Sequence, residues 1–510
     1  MKKTTLLLSV LFTSILCYSQ NTEIEYPFAA PGETVSRGVF GKDGRLEVKD
    51  AEGYEDFVRA TAVMISKQNI YNEEFYSWSL RDKLVRRFGT TKFADDVRFL
   101  DQPAIGSCTG FLIAPDILVT AGHCINSMEE ANQFVWVFDY TSESDFGTNK
   151  KLQIDKENIF EVESIITSEY IENTADDDYA ILRLKRKSDR VPYRFRTSGK
   201  VLEGGAINTI GCPTGLPLKF ATNAVVVDNS PNKWFKSDID SFPGNSGGPV
   251  FDQNGFIEGI LVRGAVKYSS SGYTGDYIYD YSCNCVKTVQ WDKVNYTAGC
   301  QSHKITAVPG YALITAVYEN LVYAIENDLP ERFDSWSIYK WIFSGAYNTS
   351  SIRLEKIALE NNNLDALSKI LDITAEKDIS DDLARSLLDM AYATRNTKAI
   401  KLLLSKDILA DAGTNASKTL LQRAIEDNLY SVAYMLITNG ADTSVKDRYG
   451  NSLLHIAART GNTELCRLLV ENGLNAGEKN SSGLRPEKIA KKAKHKSLAK
   501  YLKRVRKKRR

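Results

Sequence analysis

The chain has 510 residues, too many for a single hydrophobic core, so two to four domains are expected. Hydrophobic residues make up 43% and charged residues 25%, ordinary globular values that exclude a collagen-like or low-complexity chain. The net charge of +1 conceals an asymmetry: residues 488–510 hold thirteen Lys/Arg and no Asp or Glu, which leaves the rest with 52 basic against 64 acidic side chains.

The first twenty residues read "MKKTTLLLSVLFTSILCYSQ". Lys2 and Lys3 precede an apolar run to Leu16, and the small Ser19 suits a cleavage site, which is the pattern of a secretory signal peptide over 1–19. The run is too short to span a membrane, and Leu16 is bulky for a lipid-attachment motif at Cys17. The expected location is secreted or periplasmic. Export implies an oxidising compartment. Seven cysteines then remain, Cys108, Cys124, Cys212, Cys283, Cys285, Cys300 and Cys466, and the odd number leaves at least one thiol unpaired or shared between chains.

From about 36 to 310 the chain reads as short strands such as "TGFLIA", "ILVTAG", "YAILRL", "AVVVD" and "IEGILV", bounded by Gly, Pro and Asp. Three stretches stand out in order. In "SCTGFLIAPDILVTAGHC" a strand ends in a small-residue turn carrying His123, and Cys108 lies sixteen positions before Cys124, so a bridge there ties the His loop to the preceding strand. In "ADDDYAIL" three aspartates, Asp176, Asp177 and Asp178, precede an apolar strand; solvated loop, cation site and catalytic acid are all open readings. In "SFPGNSGGPVF" glycines surround Ser246, which reads either as a surface turn or as a nucleophile on a tight loop. A serine nucleophile needs a base, and only His123 and His303 qualify, because His455 sits at a helix start of a repeat and His495 in the basic end.

"TAGHC", "DYAIL" and "GNSGGP" in this order resemble the trypsin/chymotrypsin-like serine peptidases, most closely secreted bacterial members including the glutamyl endopeptidase branch. "GVFGKDGRLEV" resembles their first strand, and "IGCPTGLPLKF" the strand after the acid. The resemblance covers roughly 36–330 and implies an all-β, double-barrel chymotrypsin-like fold. It also implies roles. Asp178, directly before its strand, is the acid; His123 is the base; Ser246 is the nucleophile; the N–H groups of Gly244 and Ser246 form the oxyanion hole. Asn245 carries no charge where the animal enzymes have an Asp that pairs with a freed N-terminus, so that activation switch is not expected. Asp240, Ser241 and Arg263 fall on the expected substrate pocket. Asp240 suits a basic substrate residue, Arg263 could neutralise it, and Leu261 replaces the His of the glutamyl branch. Residues 265–305 form an insertion before the last barrel strand; export favours disulfides over a metal for Cys283, Cys285 and Cys300. No cofactor or metal is implied.

From about 312 the pattern turns helical. Ala358, Ala391, Ala424, Ala457 and Ala490 are 33 residues apart, as are Ile370, Leu403, Leu436, Leu469 and Leu502. A unit with one small and one apolar position cannot bury its face alone, so neighbours must stack. "DRYGNSLLHIAARTGNTELCRLLVENG" resembles an ankyrin repeat. The expected division is a signal peptide over 1–19, a protease domain over 20–330, a linker over 331–349, an all-α solenoid of five ankyrin units over 350–503, and a mobile basic tail over 504–510. The implied function is a secreted serine endopeptidase whose repeats bind a protein partner. The alternative is a repeat-based binding scaffold on a vestigial, inactive protease fold. The tail suits an anionic envelope surface, with no specific nucleic acid expected.

Overall fold

The computed structural model describes residues 40–508 apart from 41–42, 72–73, 145, 148–149, 173, 198, 265–266, 270–271, 275, 291–298, 334–352, 375–378, 407 and 412–417. The leader with Cys17, most of the expected linker and the last two residues lie outside the described residues. The chain divides into two compact units, one ending at Leu313 and the other beginning at Ile314. No helix among the described residues is long and apolar enough to cross a membrane.

The first unit is built on two antiparallel sheets. The strands are β1 (Leu46–Glu47), β2 (Thr61–Ser66), β3 (Cys108–Ala114), β4 (Ile117–Thr120), β5 (Phe134–Phe138), β6 (Ile159–Phe160), β7 (Val162–Tyr170), β8 (Asp178–Leu184), β9 (Ala206–Gly211), β10 (Lys219–Asp228), β11 (Trp234–Ser237), β12 (Pro249–Asp252), β13 (Phe256–Arg263) and β16 (Cys300–Lys304). The N-terminal sheet runs β7-β8-β4-β3-β2-β5-β6 and stays open. The C-terminal sheet runs β1-β10-β9-β12-β13-β16-β11, and β11 also pairs with β10, which closes a six-stranded barrel. This is a chymotrypsin-like β domain with one barrel closed and the other left as a half-barrel. Strands such as "CTGFLIA" and "ILVT" are buried along their whole length, which is why they read as continuous apolar runs rather than alternating ones.

The insertion supplies a hairpin, β14 (Tyr277–Asp280) and β15 (Cys285–Thr288), closed by a Cys283–Cys285 disulfide. Cys300 takes no part in that bridge; it is a buried thiol whose sulfur lies 3.0 Å from the Ile239 carbonyl. Between β2 and β3 the chain carries helix α1 (Leu80–Phe88), whose Ser79–Asp82 capping box satisfies its first turn. Leu80 and Leu84 of α1 belong to the same buried cluster as Phe242, Ile239, Tyr277 and Val286.

In the second unit, helix α2 (Gly310–Glu326) crosses the division between the two units, so that division falls earlier than the expected boundary at 330. Among the described residues, five helix pairs follow: α3 (Leu354–Glu360) with α4 (Leu364–Thr374), α5 (Asp381–Ala393) with α6 (Thr397–Ser405), α7 (Leu420–Glu426) with α8 (Tyr430–Thr438), α9 (Leu453–Thr460) with α10 (Thr463–Glu471), and α11 (Pro486–Lys492) with α12 (Lys496–Lys508). Each periodic Ala, and each Ile or Leu partner, is buried. The turn inside every pair is left-handed at one residue, Asn362, Arg395, Asn428, Gly461 and Lys494, a register of 33. Asn363, Asn396 and Asn462 then cap the second helix by accepting from the backbone three residues on, each cap stabilising by about 1 kcal/mol. Helix α12 continues to Lys508, past the expected end at Lys503. Leu498 and Leu502 bury its inner face, and Arg506 reaches back to Glu487 at 3.0 Å, which holds the last turn in place.

Candidate active site

Three local turns converge where the two sheets of the first unit meet. His123 sits in the turn after β4. Asp178 opens β8, one strand over, and its register against Tyr170 of β7 sets its height. Asp178 is 1% exposed, whereas His123 stays accessible. The carboxylate accepts the backbone N–H of His123 at 3.0 Å and lies 2.8 Å from Nδ1. An ionised carboxylate can only accept, so Nδ1 is the donor in this pair.

The Ser246 loop follows from close packing. Gly244 has φ +103°, and a β-carbon there would lie 2.3 Å from the Cys212 carbonyl. Gly247 has φ +84°, and its β-carbon would lie 2.1 Å from Thr120 Oγ1 and 2.2 Å from the Thr109 carbonyl. Only glycine fits either position. The Gly244 carbonyl is turned inward: it accepts from Thr109 Oγ1 at 2.8 Å and lies 3.1 Å from Cys212 Sγ. Thr109 N–H donates to the Ser246 carbonyl at 2.8 Å. Among the described residues, the N–H groups of Gly244 and Ser246 make no hydrogen bond, and none links Ser246 Oγ to His123. The Gly244 and Ser246 amides are thus free donors among the described residues, while the carbonyls of the same two residues are occupied.

A disulfide joins Cys108 to Cys124. It places the Cys124 sulfur 3.7 Å from the Ser246 carbonyl, so the bridge lies between the His123 turn and the serine loop. The two sulfurs and a His123 ring nitrogen come within 4.8 Å of one another. Both sulfurs are oxidised in the bridge, so they are not the thiolates a zinc site requires.

The other expected residues fall around this centre. Asp240 is 6% exposed in the loop after β11. Ser241 lies beside Gly264 at the end of β13, with its hydroxyl 3.6 Å from where a β-carbon on Gly264 would stand. Arg263 Nε donates to the Thr174 carbonyl at 2.9 Å. Of the other aspartates, Asp177 pairs with Lys233 at 2.5 Å, and the Asp176 carbonyl takes a bond from His303 Nε2 at 3.1 Å. His303 is wholly buried in β16, and burial pushes its pKa down to about 4 against the opposing pull of Asp177. It is a neutral core imidazole with no path to substrate. Cys212 is buried, and desolvation pushes its thiol up to about 12.

Sequence reasoning missed Thr109 and Cys212 as holders of the Gly244 carbonyl. Thr109 adjoins Cys108, which is the one signal that could have singled it out. It also missed Tyr170, half exposed with its ring centroid 5.8 Å from that of His123.

Residues 108–260 match the family model described as a trypsin-like peptidase domain, and residues 421–508 match one described as ankyrin repeats in three copies. Among curated proteins, the chain is 30% identical over 133 residues to a probable 26S proteasome regulatory subunit p28 of Saccharomyces cerevisiae, covering 26% of this chain and 52% of that one. It is 30% identical over 120 residues to human neurogenic locus notch homolog protein 2, covering 23% and 5%. It is 22% identical over 221 residues to a putative ankyrin repeat protein of Rickettsia felis, covering 34% and 58%. The chain thus spans less than two thirds of the length of each of these relatives. A solved structure of Glu endopeptidase in complex with MPD is similar at 20% identity and a TM-score of 0.32, covering 55% of this chain and 98% of that one.

Proposed function

We propose that this chain, a trypsin-like peptidase domain followed by ankyrin repeats, is an exported serine endopeptidase that hydrolyses peptide bonds through Ser246, His123 and Asp178. The observation that carries the reading is the Asp178 carboxylate on His123 Nδ1, beside a loop whose Gly244 and Ser246 amides are unbonded. In this reading His123 Nε2 takes the Ser246 proton as Oγ attacks the scissile carbonyl. The proton then passes to the leaving amine, and a water repeats the cycle on the acyl-enzyme. Asp178 holds the tautomer and stabilises the imidazolium. The Gly244 and Ser246 N–H groups meet the developing oxyanion, each such donor contributing about 3 kcal/mol in the transition state. Asp240, Ser241 and Arg263 form the walls that choose the substrate side chain.

The ankyrin repeats serve as the protein-binding module, and the basic last helix as a contact for an anionic envelope surface. Labelling with a fluorophosphonate tests the reading. Wild-type protein should react, Ser246→Ala should not, and Asp178→Asn should lose about four orders of magnitude in kcat with its fold intact. A folded Ser246→Ala variant with wild-type hydrolysis would overturn it, and an unreactive wild type would leave the inactive-scaffold alternative.

A further inference from the structure

Against Phe242, at the start of the nucleophile loop, lies a buried cation that peptide hydrolysis does not require. Arg45 is 1% exposed. Its Nε and a terminal nitrogen form a two-pronged pair with Asp43, at 2.9 and 2.7 Å, and Asp43 is itself buried and also approached by Arg98 at 3.6 Å. The guanidinium plane stands over the ring of Phe242 with its central carbon 3.8 Å from the centroid, and Phe99 closes the other approach at 5.4 Å. Phe242 begins the turn that carries Ser246: its carbonyl accepts the Asn245 N–H at 3.0 Å, and the Asn245 carbonyl accepts the Gly248 N–H at 2.9 Å. Tyr277 of the β14–β15 hairpin packs on Phe242 as well, with centroids 6.0 Å apart.

We propose that Arg45 is a positioning residue for the nucleophile loop, an internal cation clamped by Asp43 that braces the Ser246 turn through the ring of Phe242. The chemistry favours arginine. Only a planar guanidinium can stack on a ring and hold a carboxylate with two parallel bonds at once. A buried pair of this kind costs desolvation and is a poor source of net stability. Its worth lies in fixing one geometry, and the geometry here is that of a turn with no charge of its own, because Asn245 is neutral and its Oδ1 atom is buried. Asp43 and Arg45 lie in the segment that leads directly into strand β1, and β1 pairs with β10. The brace therefore comes from within the chain and needs no newly freed N-terminus.

The inference rests on Ser246 being the nucleophile, and the experiment separates the two ideas. The rate of fluorophosphonate labelling and the amide hydrogen exchange of Asn245, Gly247, Gly248 and Thr109 are measured in the full chain. Arg45→Met should label about 100-fold more slowly, the scale expected when reacting groups move by about 1 Å, with KM for a small peptide changed far less than kcat. Exchange at the four amides should quicken while exchange in β2 stays as in wild type. Asp43→Asn should be slow alone and add nothing to Arg45→Met, since Asp43 acts through Arg45. Phe242→Leu, which removes the ring face and keeps an apolar side chain, should show the same signature in milder form and carries the test if Arg45→Met does not fold. A folded Arg45→Met or Phe242→Leu with wild-type exchange at the four amides overturns the brace, whether or not the wild type labels. A wild type that fails to label counts against Ser246, and the exchange result then judges Arg45 by itself.

Discussion

Gly122 and Glu169 stand so close that a β-carbon on Gly122 would lie 1.9 Å from the Glu169 carbonyl oxygen. Glu169 belongs to β7, one residue before Tyr170, which pairs with Asp178. The contact is the closeness that lets the His123 turn settle against the strand pair holding Asp178. Backbone cannot retreat here as a flexible side chain would. Gly122→Ala should therefore push the turn outward and part Nδ1 from the carboxylate. The expected loss in kcat is about 100-fold or more, from a shift of about 1 Å, with the thermal midpoint lowered only modestly. Steady-state kinetics beside a melting curve check it; wild-type kcat in the variant would show that the turn tolerates the shift.

His303 makes the stability of the first unit depend on pH. Burial, the largest influence, lowers its pKa to about 4 in the folded state, against an ordinary value near 6.5. The folded form therefore binds fewer protons than the unfolded form between these values. The contribution is fully present above about pH 6.5, shrinks as pH falls, and levels off below about pH 4 after a loss of roughly 3 kcal/mol. His303→Gln keeps a donor for the Asp176 carbonyl but cannot titrate. Urea midpoints at pH 7.5 and 4.5 should fall further in wild type than in this variant; equal falls would show that His303 is already protonated in the folded protein.

Cysteine chemistry gives a second check on the fold. Cys212, Cys300 and Cys466 are buried thiols, and burial raises Cys212 and Cys466 to about 12. A thiol held that high presents almost no thiolate at neutral pH. Native protein should take up no alkylating reagent at these three positions, and denatured, unreduced protein should take it up at all three. Peptide mapping should find Cys108 with Cys124 and Cys283 with Cys285. Rapid native labelling of Cys212 would mean that the core around the Gly244 carbonyl opens.

How legible all this was depends on how local each feature is. The 33-residue register showed in the sequence because each unit packs on its own neighbour, so the buried Ala and Leu positions repeat along the chain. The left-handed turn of each unit did not show as a repeat, because its residue changes from Asn362 to Arg395, Asn428, Gly461 and Lys494; at Arg395 and Lys494, which have no preference for that conformation, stacking imposes it. The motifs around His123 and Ser246 are readable because each is one strand end and one tight turn. The choice of Asp178 among three aspartates depends on β-sheet register, and Asp177 turns instead to Lys233. Arg45 was not readable as part of any site. It meets Phe242 across nearly 200 residues of sequence, a contact that only the tertiary fold makes.

The last helix turns the basic end from a loose tail into a fixed array. Lys488, Lys491, Lys492, Lys494, Lys496, Lys500, Lys503, Arg504, Lys507 and Lys508 are exposed on α11, α12 and their connection, while Leu498 and Leu502 face inward. Arg506 is the exception, since it is held by Glu487. Exposed cations at fixed spacing bind a charged surface with less loss of chain freedom than a flexible tail would. The Debye length is about 8 Å at physiological ionic strength, so the acidic remainder of the chain is screened from a surface this helix touches. Reversing Lys500, Lys503 and Lys507 to Glu keeps helix-forming side chains and leaves both Leu498 and the Arg506–Glu487 pair in place. The melting midpoint should stay near wild type, and cleavage of a small uncharged peptide should not change. Retention on vesicles containing phosphatidylglycerol should fall sharply at low salt, and the difference should vanish as salt rises. Equal retention of the two proteins across the salt series would refute a role for this helix at anionic surfaces.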